Sequence, residues 1–225
     1  MNKINQKSNE EFIEEWDWEK AVPTGRAVER NIAHKNGIAH EGVHLWVLRI
    51  NEKPELLFQR RSKDKNTFPD CLDITVGGHV PFGMNENKIQ KESFEEIGIS
   101  PPDESLIDLG WYRYEEKSYG LFHREFQQVF LLTDNRELNQ YTFTDGEVTA
   151  IFAIPIIDLE LLLKKDFTFS VQGYEKCRLT EKKVSRKDFH PLLFSDSMKE
   201  YMKVIIQAAN DLALNKKTTV RMPGI

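Results

Sequence analysis

An apolar strand, residues 72–76, runs straight into Gly77-Gly78-His79 and, past a short loop, into Lys91-Glu92-Ser93-Phe94-Glu95-Glu96-Ile97-Gly98-Ile99. Few folds accommodate that order. The glycines permit a tight turn and close backbone approach, Asn85 or Asn87 can cap a helix, and Gly98 can end it. At about 100° per residue, Glu92, Glu95 and Glu96 fall within one arc of that helix, with Ile89, Phe94 and Ile97 on the roughly opposite side that a core would take. Adjacent carboxylates repel one another, and a hard divalent cation relieves that repulsion through oxygen ligands. The alternative is a solvated acidic face; the strand, loop and helix stop around it favour a metal-bearing helix.

The rest of the chain supplies layers for this unit to pack in. Strands are expected over 43–50, 56–60, 72–76, 106–115, 122–132 and 148–154, rich in β-branched and aromatic residues, and helices over about 87–97, 157–164 and 196–214. A mixed sheet with helices on its faces is an α/β fold, an α/β/α sandwich. Residues 1–17 read as an N-terminal extension, 18–165 as the domain, and 166–225 as a C-terminal loop or small lid followed by a helix. In that helix Met198, Tyr201, Met202, Ile205, Ile206, Ala209 and Leu212 repeat as a packing stripe, for its own sheet or for a second subunit in a homodimer. The last residues, 216–225, are expected to fray.

A formal net charge of -5 argues against binding a nucleic-acid backbone, so any nucleotide partner is a small molecule. Cys71 and Cys177 form no dense spacing pattern and suit a reducing cytosol. Residues 1–6 lack the apolar core of a signal sequence, and no stretch approaches the roughly 18 apolar residues of a membrane span. A cytoplasmic protein with no membrane partner is expected.

The segment around Gly78, Glu92, Glu95, Glu96, Gly98 and Ile99 resembles the Nudix box, the loop-helix-loop signature of enzymes that hydrolyse organic diphosphates, and the sandwich fold is what that resemblance also implies. More widely, Pro23-Thr24-Gly25-Arg26, Glu29-Arg30, His34, His40, Gln59-Arg60-Arg61-Ser62, Asp64-Lys65, Phe68-Pro69 and Asp73-Ile74 resemble the Nudix subgroup related to isopentenyl diphosphate isomerase, over about residues 18–155. The resemblance implies a diphosphate substrate and Mg²⁺, with Mn²⁺ as the alternative, on Glu92, Glu95 and Glu96. It also implies a metal on His34, His40, His79 and Glu125, with His123 where the isomerases carry a further glutamate. Arg30, Arg61 and Lys65 match basic positions that grip a diphosphate, and Gly78 lies beside them in the substrate site. The run 60–65 can equally be a solvated turn. His44, four residues along the strand from His40, can share its face, yet neither it nor His190 matches the set.

The chain departs from the pattern at Met84, where a glutamate is usual, at Lys91 for arginine, at Ser93 for an apolar residue, and in a loop one residue short. It also has Gly77 where the isomerases place their catalytic cysteine; Cys71, six residues earlier, would stand roughly 20 Å away along a strand. The reading therefore moves from isomerase to metal-dependent diphosphate hydrolase. Glu96 is the expected general base, with Glu95, Glu125 and Glu147 as alternatives and Glu125 as a further metal ligand. An isomerase and a non-catalytic diphosphate binder remain as other readings. Trp111, Tyr112, Tyr114 and Phe122 can line a pocket for a base or prenyl group, or pack in the core.

Overall fold

The computed structural model describes residues 11–225; the part of the expected N-terminal extension that covers 1–10 lies outside them. In chain order the elements are β1 (Phe12–Asp17), β2 (Val22–Glu29), α1 (Arg30–Asn36), β3 (His40–Ile50), β4 (Pro54–Arg61), β5 (Leu72–Asp73), β6 (Val76–His79) and α2 (Lys88–Ile97), then β7 (Leu106–Ser118), β8 (Leu121–Thr133), β9 (Val148–Pro155), α3 (Ile156–Lys164), β10 (Phe169–Glu175), β11 (Arg178–Val184) and α4 (Lys199–Asn215). The strands run β11-β10-β9-β4-β3-β1-β2, with β5, β6, β7 and β8 joined off that path. β3 and β8 pair in parallel, and the other strand pairs are antiparallel.

β3 organises the whole molecule because both of its faces are buried, which requires an almost continuous apolar run. Trp46 and Leu48 belong to one core with α3 and α4, whereas Val43, Leu45 and Val47 belong to a second core with Ile89 and Ile97 of α2. The result is the expected α/β/α sandwich. Burying each large apolar side chain contributes about 1.5–3 kcal/mol, and the stripe on α4 buries Tyr201, Met202, Ile205, Ile206, Ala209 and Leu212 in this chain's own core. No helix among the described residues is long and apolar enough to cross a membrane.

One edge of β3 forks. Over Gly42–Leu45 it carries β6, and over Leu48–Ile50 it carries β4, which then leans away to pair with β9 along its length and with β5 at Gln59 and Arg60. Thr75 stitches the base of this fork: its hydroxyl accepts from Val47 N at 3.0 Å and donates to the Leu57 carbonyl. The expected strand 72–76 is therefore split at Ile74–Thr75 into β5 and β6, one on each arm.

Several local expectations are corrected. The segment 167–187, read as a loop or lid, contains the β10–β11 hairpin, which extends the sheet from β9. Its outer strand, RLTEKKV, is charged because it is a sheet edge. Residues 12–29 form another hairpin, so residues 12–17 of the expected N-terminal extension belong to the sheet, and α1 follows directly. The tail does not simply fray: Met222 is buried, and the backbone N–H groups of Met222 and Gly224 bond to the carbonyls of Leu109 and Trp111 beside β7. On α2, Ile89, Ser93, Glu96 and Ile97 face the sheet while Phe94 is 61% exposed. Positions 89, 93 and 97 recur at i, i+4, i+8, and the small Ser93, whose hydroxyl bonds back to the Ile89 carbonyl at 2.6 Å, lets α2 approach closely. Neither Asn85 nor Asn87 provides a side-chain cap; Asn87 is the capping residue by position alone, while Gly98, at φ 73°, ends the helix as expected.

Candidate active site

The acidic face of α2 is divided in depth. Glu96 is 4% exposed and its Oε2 stands in the fork, accepting from Gly77 N of β6 at 3.1 Å and from Gln59 Nε2 of β4 at 3.2 Å. One carboxylate oxygen thus joins the two splayed arms. Burial pushes its pKa well above the ordinary carboxylate value; the Gly77 N–H pulls the other way without overcoming it. Glu92 lies beside Gly78, where a Cβ would overlap its carboxylate, so only glycine permits this approach. Burial raises the pKa of Glu92 as well, with Lys91 opposing. Glu95 is the outermost carboxylate. Lys91 Nζ reaches both neighbours, at 3.1 Å from Glu92 Oε1 and 2.6 Å from Glu95 Oε2.

The loop ahead of α2 is held without the usual glutamate–arginine pair. Met84 packs against the α2-side core, and Lys88, in the first turn, donates to the buried Glu41 of β3 at 2.6 Å. That brace was not read from the sequence, where Lys88 and Glu41 stand 47 residues apart. Gln59 was legible only as part of a run.

The basic positions are engaged differently from the expectation. Arg61 spends its guanidinium on the Phe68 and Thr67 carbonyls, each at 3.1 Å, and on Asp73 at 3.2 Å, so it clamps the loop 62–71. Lys65 pairs with Glu147, which precedes β9. Arg30 pairs with Glu11 at 3.2 Å, and its Nε is buried without a partner among the described residues.

A second cluster lies at the far end of β6. Side chains alternate along a strand: Gly78 faces α2, and His79 faces the other way. His34 of α1, His40 of β3, His79 of β6 and Glu125 of β8 offer ligand atoms all within 4.8 Å of one another. His34 Nε2 and His79 Nε2 are 3.0 Å apart, and His40 Nε2 is 4.0 Å from Glu125 Oε1. The expected ligands therefore divide into two centres. Because a carbonyl can only accept, His40 Nδ1 donates to Ile38 O at 2.9 Å, leaving the lone pair on Nε2, which is buried and unpartnered among the described residues. Burial lowers the pKa of His34 to about 4 and lowers those of His40 and His79. Burial alone would raise Glu125, but the His123 hydrogen bond, at 3.1 Å to Oε1, and the nearby imidazoles outweigh it. Gln127 Nε2 donates to the other oxygen at 3.0 Å. Neutral imidazoles, the free lone pair on His40 Nε2 and an ionised, hydrogen-bonded carboxylate fit a divalent metal.

Cys71 offers no thiolate here. It is buried, its thiol donates to the Phe68 carbonyl at 3.1 Å, and burial pushes its pKa up to about 12. Tyr112 and Tyr114 are buried beneath α4, which makes them core residues first.

No protein-family model matches the chain. An uncharacterized Nudix hydrolase of Clostridium acetobutylicum is 29% identical over 209 residues, covering 90% of this chain and 98% of that one. Nudix hydrolase 3 of Arabidopsis thaliana is 30% identical over 148 residues, 64% of this chain and 19% of that much longer protein. Among solved structures, a Deinococcus radiodurans protein superposes with a TM-score of 0.51 at 19% identity, over 68% of this chain and 88% of that one. Similarity to one Nudix hydrolase along 90% of the chain, and to others of that name over about two thirds of it, supports a Nudix-type hydrolase.

Proposed function

We propose that the protein hydrolyses a diphosphate linkage in a small organic diphosphate, such as a nucleoside diphosphate derivative, in a Mg²⁺-dependent reaction carried out in the cytoplasm. The observation that carries this reading is the placement of Glu96 in the fork of β3, with Oε2 held by both arms and Glu92 pressed against Gly78 beside it. Glu92 and Glu96, with Glu95 at the rim, would hold Mg²⁺; Mn²⁺ is the substitute ion. The metal, when bound, neutralises charge on the leaving phosphate and acidifies a water. Glu96, whose pKa is raised by burial, would accept the proton of the attacking water through its other oxygen. The Gly77 N–H and Gln59 fix the carboxylate so that no reorganisation is needed as the proton moves. Lys65 would supply positive charge to the substrate, and Arg61 would act through the loop that it clamps. Phosphoryl transfer asks for positioning and electrostatics more than covalent work.

The test is Mg²⁺-dependent release of phosphate or monophosphate from a panel of nucleotide sugars, dinucleotides, nucleoside triphosphates and isoprenoid diphosphates, beside a Glu95→Gln, Glu96→Gln double variant. Turnover of one class that vanishes in the variant supports the reading and names the substrate. Binding without turnover would make the protein a diphosphate-binding module.

An isomerase-like reading is favoured by the assembled histidine and glutamate centre, which resembles that of the isopentenyl diphosphate isomerases. It lacks the thiol, since Gly77 stands at that position and Ile74 Cδ1 lies 2.8 Å from where its Cβ would be. Solvent deuterium entering isopentenyl diphosphate would establish it.

A further inference from the structure

The strand β3 is buried from His40 to Arg49 at every position but one, His44, which keeps part of its surface accessible. Its ring is held from the C-terminal helix. Tyr201, fully buried on α4, has its hydroxyl 2.9 Å from Trp46 Nε1 and 2.9 Å from His44 Nδ1. An indole N–H can only donate, so the Tyr201 oxygen accepts from Trp46; His44 Nδ1 is the one acceptor that the described residues offer the buried Tyr201 proton, which assigns that proton to it. With Nδ1 an acceptor, the neutral ring carries its proton on Nε2.

The Cδ2 side of that ring lies toward Gly77. Gly77 is the register partner of His44 on β6, and a Cβ built on it would lie 2.8 Å from Ile74 Cδ1 and 3.4 Å from His44 Cδ2, the atom bonded to Nε2. Glu96 reaches the same residue from the α2 side, on its N–H. Gly77 is thus flanked by the Glu96 carboxylate from the α2 side and by the Ile74 side chain and the His44 ring on the other. Nδ1 makes the ring's only hydrogen bond among the described residues.

Resting on the hydrolase reading, we propose that His44 is a substrate-contacting residue whose Nε2–H donates to an oxygen of the bound diphosphate at Gly77, and that Tyr201 is a positioning residue that fixes the tautomer through the Trp46–Tyr201–His44 relay. A neutral donor adds orientation without a second positive charge, which suits an anion already matched by Mg²⁺. The C-terminal helix, far from the box in sequence, thereby becomes part of the active site.

The experiment uses the full chain and magnesium imidodiphosphate, a diphosphate with a non-cleavable bridge. Long-range ¹⁵N–¹H spectra should show His44 as the Nε2–H tautomer and its Nε2 resonance should move as the probe saturates. Gln places its amide nitrogen near Nε2 and Asn places its own near Nδ1, so His44→Gln should bind the probe within about 2-fold of wild type and His44→Asn should weaken it by about 3- to 10-fold, the range for one hydrogen bond. Tyr201→Phe should mix the two tautomers and weaken binding by a similar factor. The proposal is overturned if the resonance does not move at saturation, if His44→Asn binds normally while His44→Gln does not, or if the probe fails to bind at all. Because this readout is binding, normal binding with no turnover of any diphosphate would sink the hydrolase reading and leave His44 in place.

Discussion

The two ends of β6 carry two ionisable clusters that satisfy themselves in opposite ways. At the box end the carboxylates have protein partners already: Glu96 holds Gly77 N and Gln59, and Glu92 and Glu95 share Lys91. At the other end His40 Nε2, His34 Nδ1 and His123 Nε2 are buried without hydrogen bonds among the described residues, and the ligand atoms already lie together. Unpaired buried polar atoms are costly. An ion would therefore complete the histidine centre, whereas at the box one could leave without stranding the carboxylates unpaired. A metal that is exchanged with substrate belongs at the second kind of site, and one that stays belongs at the first.

The largest way to break this contrast is at Glu96. Glu96→Gln keeps the shape and removes the charge and the base, and should lower kcat/KM by on the order of 10²–10⁴. A buried neutral amide costs less here than a buried charge, so the melting temperature should hold or rise. Activity within a few-fold of wild type would move the base to Glu147 or Glu125.

Gly78→Ala comes next. The new methyl would meet the Glu92 carboxylate, and displacement of a metal ligand by an ångström costs about 10²-fold in rate. The half-saturating Mg²⁺ concentration should rise while metal bound at the histidine centre, counted by mass spectrometry, stays constant. Loss from both centres would show that β6 couples them.

At the other end, His40→Ala should weaken binding of Mn²⁺ or Zn²⁺ by at least about 10- to 100-fold, read by calorimetry, with less effect on the Mg²⁺ requirement for hydrolysis. Its pH behaviour separates the two ends further. In the metal-free protein His34 takes up its proton near 4 rather than 6.5. The unfolded chain binds that proton first, so stability is full above about 6.5 and is lost as pH falls toward 4. Bound metal excludes the proton and should flatten that loss; thermal melts across this window, with and without metal, measure it.

Legibility followed the same divide between local and non-local information. The box, its glycines and α2 were readable because turn residues and helical spacing act within a few residues, and the stripe on α4 was readable for the same reason. The burial of Glu96 and exposure of Phe94 were not, because both depend on how closely α2 approaches the sheet, which Ser93 decides. The histidine centre draws on α1, β3, β6 and β8, so only the family resemblance brought its members together. The fork, Thr75, Gln59 and the Lys88–Glu41 brace belong to strand register, which no window of sequence contains. The β10–β11 hairpin was read as a loop because its charged outer strand lacks the apolar alternation of a half-buried one.

The smallest effect, and the sharpest for this comparison, is at Lys91. Its ammonium lies between Glu92 and Glu95, as an internal counter-ion at the box. A Mg²⁺ ion would have to compete with it, whereas an arginine here, with its planar fork, would hold a different partner geometry. Lys91 and Glu95 are both more than a third exposed in their side chains, so solvent screens the pair and its worth is about 0.2–1 kcal/mol. Lys91→Met should therefore lower the half-saturating Mg²⁺ concentration by about 1.4- to 5-fold, with the gain shrinking as salt is raised. If the concentration rises instead, Lys91 holds the carboxylates in place for the metal, and the box would then be a site assembled in advance like its counterpart at the far end of β6.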